Sequence, residues 1–518
     1  QSIYAGKRKG FSFASVGNLY DYRARTAPSA EALAHGLAVI GWLHLILDPK
    51  TRSLRVGREG MRIDLGGFAK GHAVDNAVAI LGELDRALDA AQKGFLVWRD
   101  TPPEARAALM HKAVALVRER RETIAQVITL ELGKPIADSR YEVDRACTIM
   151  EWDAAEALRL YGRINPSGPG LQQMVLRQPI GPVAAFTPWN APLGSPSRKI
   201  SGAIAAGCSI VVKAAEETPG AACAYVQCFA DAGLPPGVLN LVFGDPAQVS
   251  AHLIASPVIR VITFTGSIAV GKHLTQLAAK EMKPAIMELG GHAPVIVCDD
   301  VDPVRVGHLA GAAKFRMAGQ ICVSPTRFIV HEAIYAPFVK AFAEAAGALK
   351  VGDGMAGGVQ MGPMANGRRL AAIEELVEEA VACGARVASG GKRIGDRGFF
   401  YAPTVLADVP RTARAMSVEP FGPLGLCVPA ASLDDAITLA NSLPVGLAGY
   451  AFTNSVDAAE RLGRSMECGI MSINHFGGPA ADMPFGGVKQ SGMGREGGHE
   501  SLDAYTTTKM VSLKTARV

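Results

Sequence analysis

Val261-Ile262-Thr263-Phe264-Thr265-Gly266-Ser267-Ile268-Ala269-Val270-Gly271 reads as a strand, a glycine turn and the opening of a helix. The β-branched and aromatic residues at 261–264 favour extended, pleated backbone. Glycines at 266 and 271 let the backbone and a helix N-terminus come close to a phosphate. The run is not Gly-x-Gly-x-x-Gly, and a glycine pair alone says little about a ligand. Its neighbours settle the fold. Val183-Ala184-Ala185-Phe186, Ile210-Val211-Val212 and Leu239-Asn240-Leu241-Val242 are strand-like runs separated by helical stretches. Such alternation implies right-handed βαβ units and a doubly wound parallel sheet in an α/β protein. A second alternating region runs from Ala293 to about Asn474, with no internal repeat.

Towards the N-terminus, Leu84, Leu88, Ala91 and Phe95 recur at helical spacing, and a longer helix is predicted from about Pro103 through Ile128. The first eighty residues read differently. Trp42 to Leu47 and Ser53 to Val56 flank Asp48-Pro49-Lys50-Thr51, a hairpin by turn chemistry. Arg62-Ile63-Asp64-Leu65-Gly66-Gly67-Phe68-Ala69-Lys70-Gly71-His72-Ala73-Val74-Asp75 then reads as a strand and glycine turn leading into a helix. This run resembles the flavin-binding segment of the FAD:protein FMN transferase family, and the similarity reaches back over Pro28 to Gly60. The later metal-binding section of that family has no counterpart here, so Asp64 and Lys70 are expected to sit in a truncated fragment over 1–82 without activity of its own.

A chain of 518 residues fills two or three domains of ordinary size. Its hydrophobic content of 49% and formal charge of +5 describe a globular enzyme with no case for nucleic acid or a membrane surface. The nine cysteines are scattered and show no Cys-x-x-Cys pair, so no metal site is expected and a reducing, cytoplasmic setting fits. No stretch approaches the ~20 apolar residues of a membrane span. Gln1 in place of an initiator methionine hints at a missing true start.

Chemistry concentrates at two places. In Ala318-Gly319-Gln320-Ile321-Cys322-Val323-Ser324-Pro325 a cysteine follows a glycine-opened turn, where it can be an exposed nucleophile; Glu288, in Met287-Glu288-Leu289-Gly290-Gly291, can activate water beside it. A cysteine alone is more often a small buried apolar residue. Together and in this order, the two runs resemble the nucleophile and general-base signatures of the aldehyde dehydrogenase superfamily, and the chain from about Glu83 onward agrees.

The resemblance implies roles residue by residue. Thr187-Pro188-Trp189-Asn190 matches a motif whose asparagine, Asn190, stabilises the oxyanion formed when the Cys322 thiolate adds to an aldehyde, with Trp189 beside the cofactor. Gly266, Ser267 and Gly271 would contact a dinucleotide. Lys213 and Glu216, in Val212-Lys213-Ala214-Ala215-Glu216, would bond its adenosine ribose; a carboxylate there repels a 2′-phosphate, which favours NAD over NADP. Glu419 and Phe421 would hold the nicotinamide ribose. Hydride leaves for NAD, and Glu288 activates the water that hydrolyses the thioester. Arg198 and Arg316 occupy positions resembling the carboxylate-binding arginines of succinate-semialdehyde dehydrogenases, which suits a short ω-semialdehyde substrate. A general aliphatic or aromatic aldehyde is the alternative, and flavin transfer by the N-terminal fragment is a reading of another class. Ala191, Ala214, His292 and Met317 depart from the residues common in the family; of these, His292 and Met317 are expected near the reactive centre. The expected domains are 83–287 for NAD, with a bridging hairpin near 158–180, 288–480 for catalysis, and 481–518 as a C-terminal segment with an oligomerisation strand. A homodimer or homotetramer is expected.

Overall fold

The computed structural model describes residues 45–48, 53–56, 75–478 and 480–514. The chain divides into Gln1–Gly82 and Glu83–Val518. In the first unit β1 (Leu45–Asp48) pairs antiparallel with β2 (Ser53–Val56), the hairpin expected from the turn residues. Asp64 and Lys70 lie outside the described residues.

The second unit is built on two large sheets. β5 (Val183–Phe186), β6 (Ile210–Lys213), β7 (Leu239–Val242), β8 (Val261–Gly266) and β9 (Ala285–Leu289) are mutually parallel, in the order β9-β8-β5-β6-β7. The chain winds outward from β5 in both directions, so the switch in strand order lies between β5 and β8. An antiparallel strand, β19 (Gly492–Met493), caps the edge beside β9. These strands are mostly apolar because helices cover both faces, with polar residues such as Lys213 and Glu288 towards their carboxyl ends. Val183, Ile210, Val261 and their neighbours are fully buried with the helices Pro103–Glu119, Ile136–Glu156 and Gly194–Ala206.

The second sheet has the order β12-β13-β14-β11-β10-β16-β17. It comprises β10 (Pro294–Val297), β11 (Arg327–His331), β12 (Arg386–Ser389), β13 (Thr404–Ala407), β14 (Leu424–Ala430), β16 (Ala448–Phe452) and β17 (Ile470–Ile473). All its pairs are parallel except β12 with β13. A short antiparallel pair links β15 (Val445–Gly446) to β18 (Val488–Lys489). A third sheet of β3 (Arg163–Asn165), β4 (Leu171–Pro179) and β20 (Thr506–Lys514) stands largely exposed, and β20 pairs with β4 along its whole length.

The single helix predicted from Pro103 is two, Pro103–Glu119 and Arg121–Leu132. The break falls at Arg120, whose φ of −93° and ψ of 10° leave the helical region. Its guanidinium pairs with Asp231 at 2.6 Å, which holds the bend against the neighbouring helix. Among the described residues no helix is long and apolar enough to cross a membrane, and no cluster of His, Cys, Asp and Glu suits a metal ion.

Candidate active site

A cleft of ≈ 460 Å³ opens at the carboxyl ends of β5, β8 and β9. That edge, at a switch in strand order, is where open α/β sheets present helix N-termini and loops to ligands. The loop after β5 brings Trp189 and Asn190, the turn after β8 brings Gly266 and Ser267, and β9 brings Glu288. Across from them stand Cys322, which lies ahead of β11, and Glu419 and Phe421, which lie ahead of β14.

The Cys322 thiol and the Glu288 carboxyl line the same cleft and lie close enough for each to shift the other's proton affinity. Burial is the main cause that pushes Glu288 up to about 8; the nearby Glu496 charge adds, while Lys199 and Arg198 oppose. Burial likewise raises the Cys322 thiol well above its usual range, reinforced by the charges of Glu288 and Glu419. Two groups that both resist becoming anions thus share one proton-rich contact. Glu288 Oε1 is buried and has no hydrogen-bond partner among the described residues.

The cysteine loop owes its shape to a left-handed turn. Met317, Ala318 and Gly319 have φ of 49°, 54° and 70°. Such backbone is costly for side chains with a Cβ. Gly319 is also needed sterically, since a Cβ there would lie 2.1 Å from the Gly422 carbonyl oxygen. Lys314, buried beneath it, donates to Ser324 Oγ at 3.0 Å; burial lowers it to about 7, opposed by Glu419.

Asn190 is buried, and its Nδ2 donates to the Gln320 carbonyl at 3.0 Å, two residues before Cys322. An amide carries two N–H groups, so one remains to meet an oxyanion. The loop is held from below. Lys134 pairs with Glu142 inside the protein and reaches the Asn190 carbonyl at 3.5 Å. Glu142 Oε1 accepts the N–H groups of Leu193 and Gly194 at 2.8 and 2.9 Å, at the start of the helix that carries Arg198.

The expected dinucleotide contacts fall into two groups. Gly266, Ser267, Trp189, Glu419 and Phe421 line the cleft. Ser267 caps the helix Ile268–Lys280 by accepting the Val270 N–H at 3.4 Å. The Trp189 and Phe421 rings meet edge to face at 5.7 Å. Burial raises Glu419 to about 7, opposed by the Gly291 N–H and by Arg369 and Lys314. Its carboxylate lies over Gly290, where a Cβ would come within 2.4 Å. Lys213, Glu216 and Gly271 do not line the cleft. Lys213 ends β6 beside it and pairs with Glu216 at 2.5 Å. Gly271 serves packing, because a Cβ there would meet the Leu289 side chain at 2.4 Å.

Both predicted arginines line the cleft. Arg198 is buried, stacks on Phe485 at 4.5 Å, and leaves Nη1 without a partner. Arg316 stacks on the exposed Tyr141 ring at 5.1 Å and meets Asp138 only at 3.8 Å. Sequence reasoning missed Arg145 and Tyr141, which line the same wall, and the role of Lys199. Lys199 is fully buried and bonds Glu496 at 2.5 Å and Thr265 Oγ1 at 2.7 Å. The signal was present in Ser197-Arg198-Lys199-Ile200, two cations on a helix otherwise made of small and apolar residues. Of the departures, Ala191 lines the cleft, whereas His292 does not. Its ring bonds Thr326 Oγ1 at 2.7 Å and the Ala415 carbonyl at 2.9 Å, and burial lowers it to about 3, so it is a neutral packing residue.

Residues 75–511 match the model of the Aldehyde dehydrogenase family, and residues 10–88 match that of the ApbE family. The 4-(hydroxymethyl)benzenesulfonate dehydrogenase TsaD1 of Comamonas testosteroni is 48% identical over 459 residues, covering 88% of this chain and 96% of that one. The NADP(+) succinate-semialdehyde dehydrogenase GabD of Escherichia coli K12 is 37% identical over 456 residues, covering 88% of this chain and 95% of that one. A solved succinate-semialdehyde dehydrogenase from Burkholderia pseudomallei superposes with a TM-score of 0.82 at 38% identity, covering 84% of this chain and 90% of that one. The chain therefore belongs to the aldehyde dehydrogenase family and is an oxidoreductase.

Proposed function

We propose that this chain oxidises an aldehyde bearing an anionic end group to the free carboxylic acid, through a thioester on Cys322 and with NAD preferred over NADP. The observation that carries the reading is the contact between Cys322 and Glu288 in a cleft that also holds Asn190. The Cys322 sulfur gives up its proton to Glu288, which releases it to solvent, and bonds the aldehyde carbon as the C=O π pair moves onto oxygen. Asn190 Nδ2–H and the Cys322 N–H receive the oxyanion. A bound nicotinamide dinucleotide supplies the hydride acceptor. Glu288 then takes a proton from water as the hydroxide adds to the thioester, the C–S bond breaks, and the acid departs. Family members that pass the acyl group to coenzyme A typically lack this glutamate, so its presence supports a free acid.

The residues fit a dinucleotide. Gly266 and Gly290 line the cleft where a Cβ would intrude, meeting Phe264 at 2.3 Å and Glu419 at 2.4 Å. Gly266, Ser267 and the helix they open would hold phosphates, Glu419, Phe421 and Trp189 the nicotinamide half, and Lys213 with Glu216 the adenosine ribose. Comparing kcat/KM for NAD and NADP tests the preference; a clear NADP preference overturns it.

For the substrate, Arg198 with its unpartnered Nη1 and Arg316 support a short ω-semialdehyde such as succinate semialdehyde. A second reading, an arylsulfonate aldehyde, is favoured by the 48% identical relative and by the aromatic walls at Tyr141, Tyr450, Phe476 and Phe485. Arg316→Leu should raise KM for succinate semialdehyde far more than for butyraldehyde; equal effects would make the arginine structural. We further propose a homodimer or homotetramer assembled through the exposed sheet of β3, β4 and β20, checked by light scattering. Residues 1–82 are proposed to lack activity, which flavin transfer to a threonine-bearing acceptor protein would refute.

A further inference from the structure

We infer that Lys314 is a positioning residue that, from beneath the loop and through Ser324 Oγ, holds the turn presenting Cys322 to the cleft. This rests on the reading of Cys322 as the nucleophile and adds a residue outside the cleft lining. The turn runs from Ile321 to Ser324, and the Ser324 N–H closes it on the Ile321 carbonyl at 2.9 Å. Cys322 is its second residue. Asn190 Nδ2 holds the carbonyl of Gln320 just ahead of the turn at 3.0 Å, and the Tyr450 hydroxyl donates to the Val323 carbonyl at 2.7 Å. The closing residue is held by Lys314, whose Nζ donates to Ser324 Oγ at 3.0 Å. The same Nζ lies 3.0 Å from where a Gly319 Cβ would stand, so it also packs under the left-handed arm of the loop. One amine thus meets the loop on both sides of Cys322.

Lys314 ends the helix Pro303–Lys314 and is fully buried. Among the described residues it makes no ion pair, and the Ser324 hydroxyl is the hydrogen-bond partner of its amine. A buried amine without a counter-ion in contact is costly, and burial lowers its proton affinity against the more distant charge of Glu419. Protonated or neutral, it keeps an N–H to donate. If the side chain served only to fill space, a methionine of similar length would do so without that cost. An apolar chain cannot hold the Ser324 hydroxyl, and a reacting atom displaced by about 1 Å loses much of its rate. The amine's cost in stability is therefore matched to a gain in the placement of Cys322.

The test uses the full chain with Lys314→Met, Ser324→Ala and the double variant, each assayed with 4-formylbenzenesulfonate and succinate semialdehyde. The rate of the first NADH or NADPH turnover in rapid mixing should fall by about tenfold or more in Lys314→Met. KM for the dinucleotide should change by less than about threefold, because Arg369 still supports the charge of Glu419. The double variant should lose no more rate than either single one, since all three break the same link. Its melting temperature should equal or exceed that of the wild type, because both polar partners are gone from the interior. Ser324→Ala stands as the test of rate if the methionine variant does not fold. An unchanged first-turnover rate would overturn the inference. So would additive losses in the double variant, or a melting temperature that falls there along with the rate, which would make Lys314 a structural residue. Each of these leaves the dehydrogenase reading standing. Absence of NADH or NADPH formation from every aldehyde in the wild type would overturn both.

Discussion

The two parallel sheets meet the cleft from opposite ends. β5, β8 and β9 present Asn190, Ser267 and Glu288 from their carboxyl ends, whereas Cys322 and Glu419 precede β11 and β14 and come from amino ends. The carboxyl edge comes with helix N-termini and their partial positive charge, which suits an anionic dinucleotide. The amino edge has no such help, so the Cys322 loop must shape itself. It does so with three successive left-handed residues and a close backbone approach at Gly319. The second sheet has its own cavity of ≈ 360 Å³ at its carboxyl edge, bordered by Asp299, Asp300 and His331, and none of the predicted site residues lies there. Fold position alone therefore does not choose the site; the loop chemistry does.

Removing one member from each side should separate their tasks. Cys322→Ala should abolish turnover, whereas Glu288→Gln should retain a stoichiometric NADH burst in rapid mixing and lose steady-state rate. Full steady-state activity in either variant would sink the assignment. Next in size, Asn190→Ala should cost about 10²–10³ in kcat. Alkylation of Cys322 by iodoacetamide should change far less, and a parallel loss there would mean Asn190 only supports the loop.

A pH series sharpens the contrast. Glu288 titrates at about 8 in the folded chain and near its ordinary value when unfolded. The folded state then binds the extra proton between those values, so this group's stabilising contribution is complete below the unfolded pKa and is lost as pH rises through about 8. The melting temperature of Glu288→Gln minus that of the wild type should accordingly grow from pH 5 to pH 8; a flat difference would mean the carboxyl is not held neutral. Steady-state rate should rise with pH over the same range if Glu288 is the proposed base, because a carboxyl acts as a base only when ionised. The smallest effect is expected at Met317. Asparagine tolerates left-handed backbone better than methionine, so Met317→Asn should stabilise the chain by at most about 1 kcal/mol in chemical denaturation. Destabilisation would show that the methionine side chain supports the turn by packing.

The alternation of strands was legible because period and turn chemistry are local. Val261 to Gly271 specifies strand, turn and helix within eleven residues, and the structure follows it. That Cys322, Glu288 and Asn190 share one cleft was legible because each sits in a compact motif. Arg145 and Tyr141 were not, since a cation and an aromatic on an amphipathic helix look like any solvated face until tertiary packing turns them toward a cleft. Lys199 with Glu496 joins residues far apart in sequence, and no local pattern announces such a pair. His292 was misplaced for the opposite reason: nearness to Glu288 in sequence did not carry its ring into the cleft, because β10 begins at Pro294 and turns it toward Thr326. The break at Arg120 escaped notice because its neighbours keep the apolar period on both sides.

β19 pairs Gly492 with Glu288 and Met493 with Met287, and Ser491 bonds both Gly290 and the Leu289 N–H. The strand that carries Glu288, the carboxyl proposed to activate water, is thus finished by residues synthesised about two hundred positions later. A nascent chain emerging from the ribosome can fold the first sheet's centre early, since domains form as they appear. It cannot complete the edge beside Glu288 until Ser491, Gly492 and Met493 have emerged. Prematurely terminated products would therefore carry the Cys322 loop beside an unfinished strand, with Glu288, the proposed hydrolytic partner, not yet held in place.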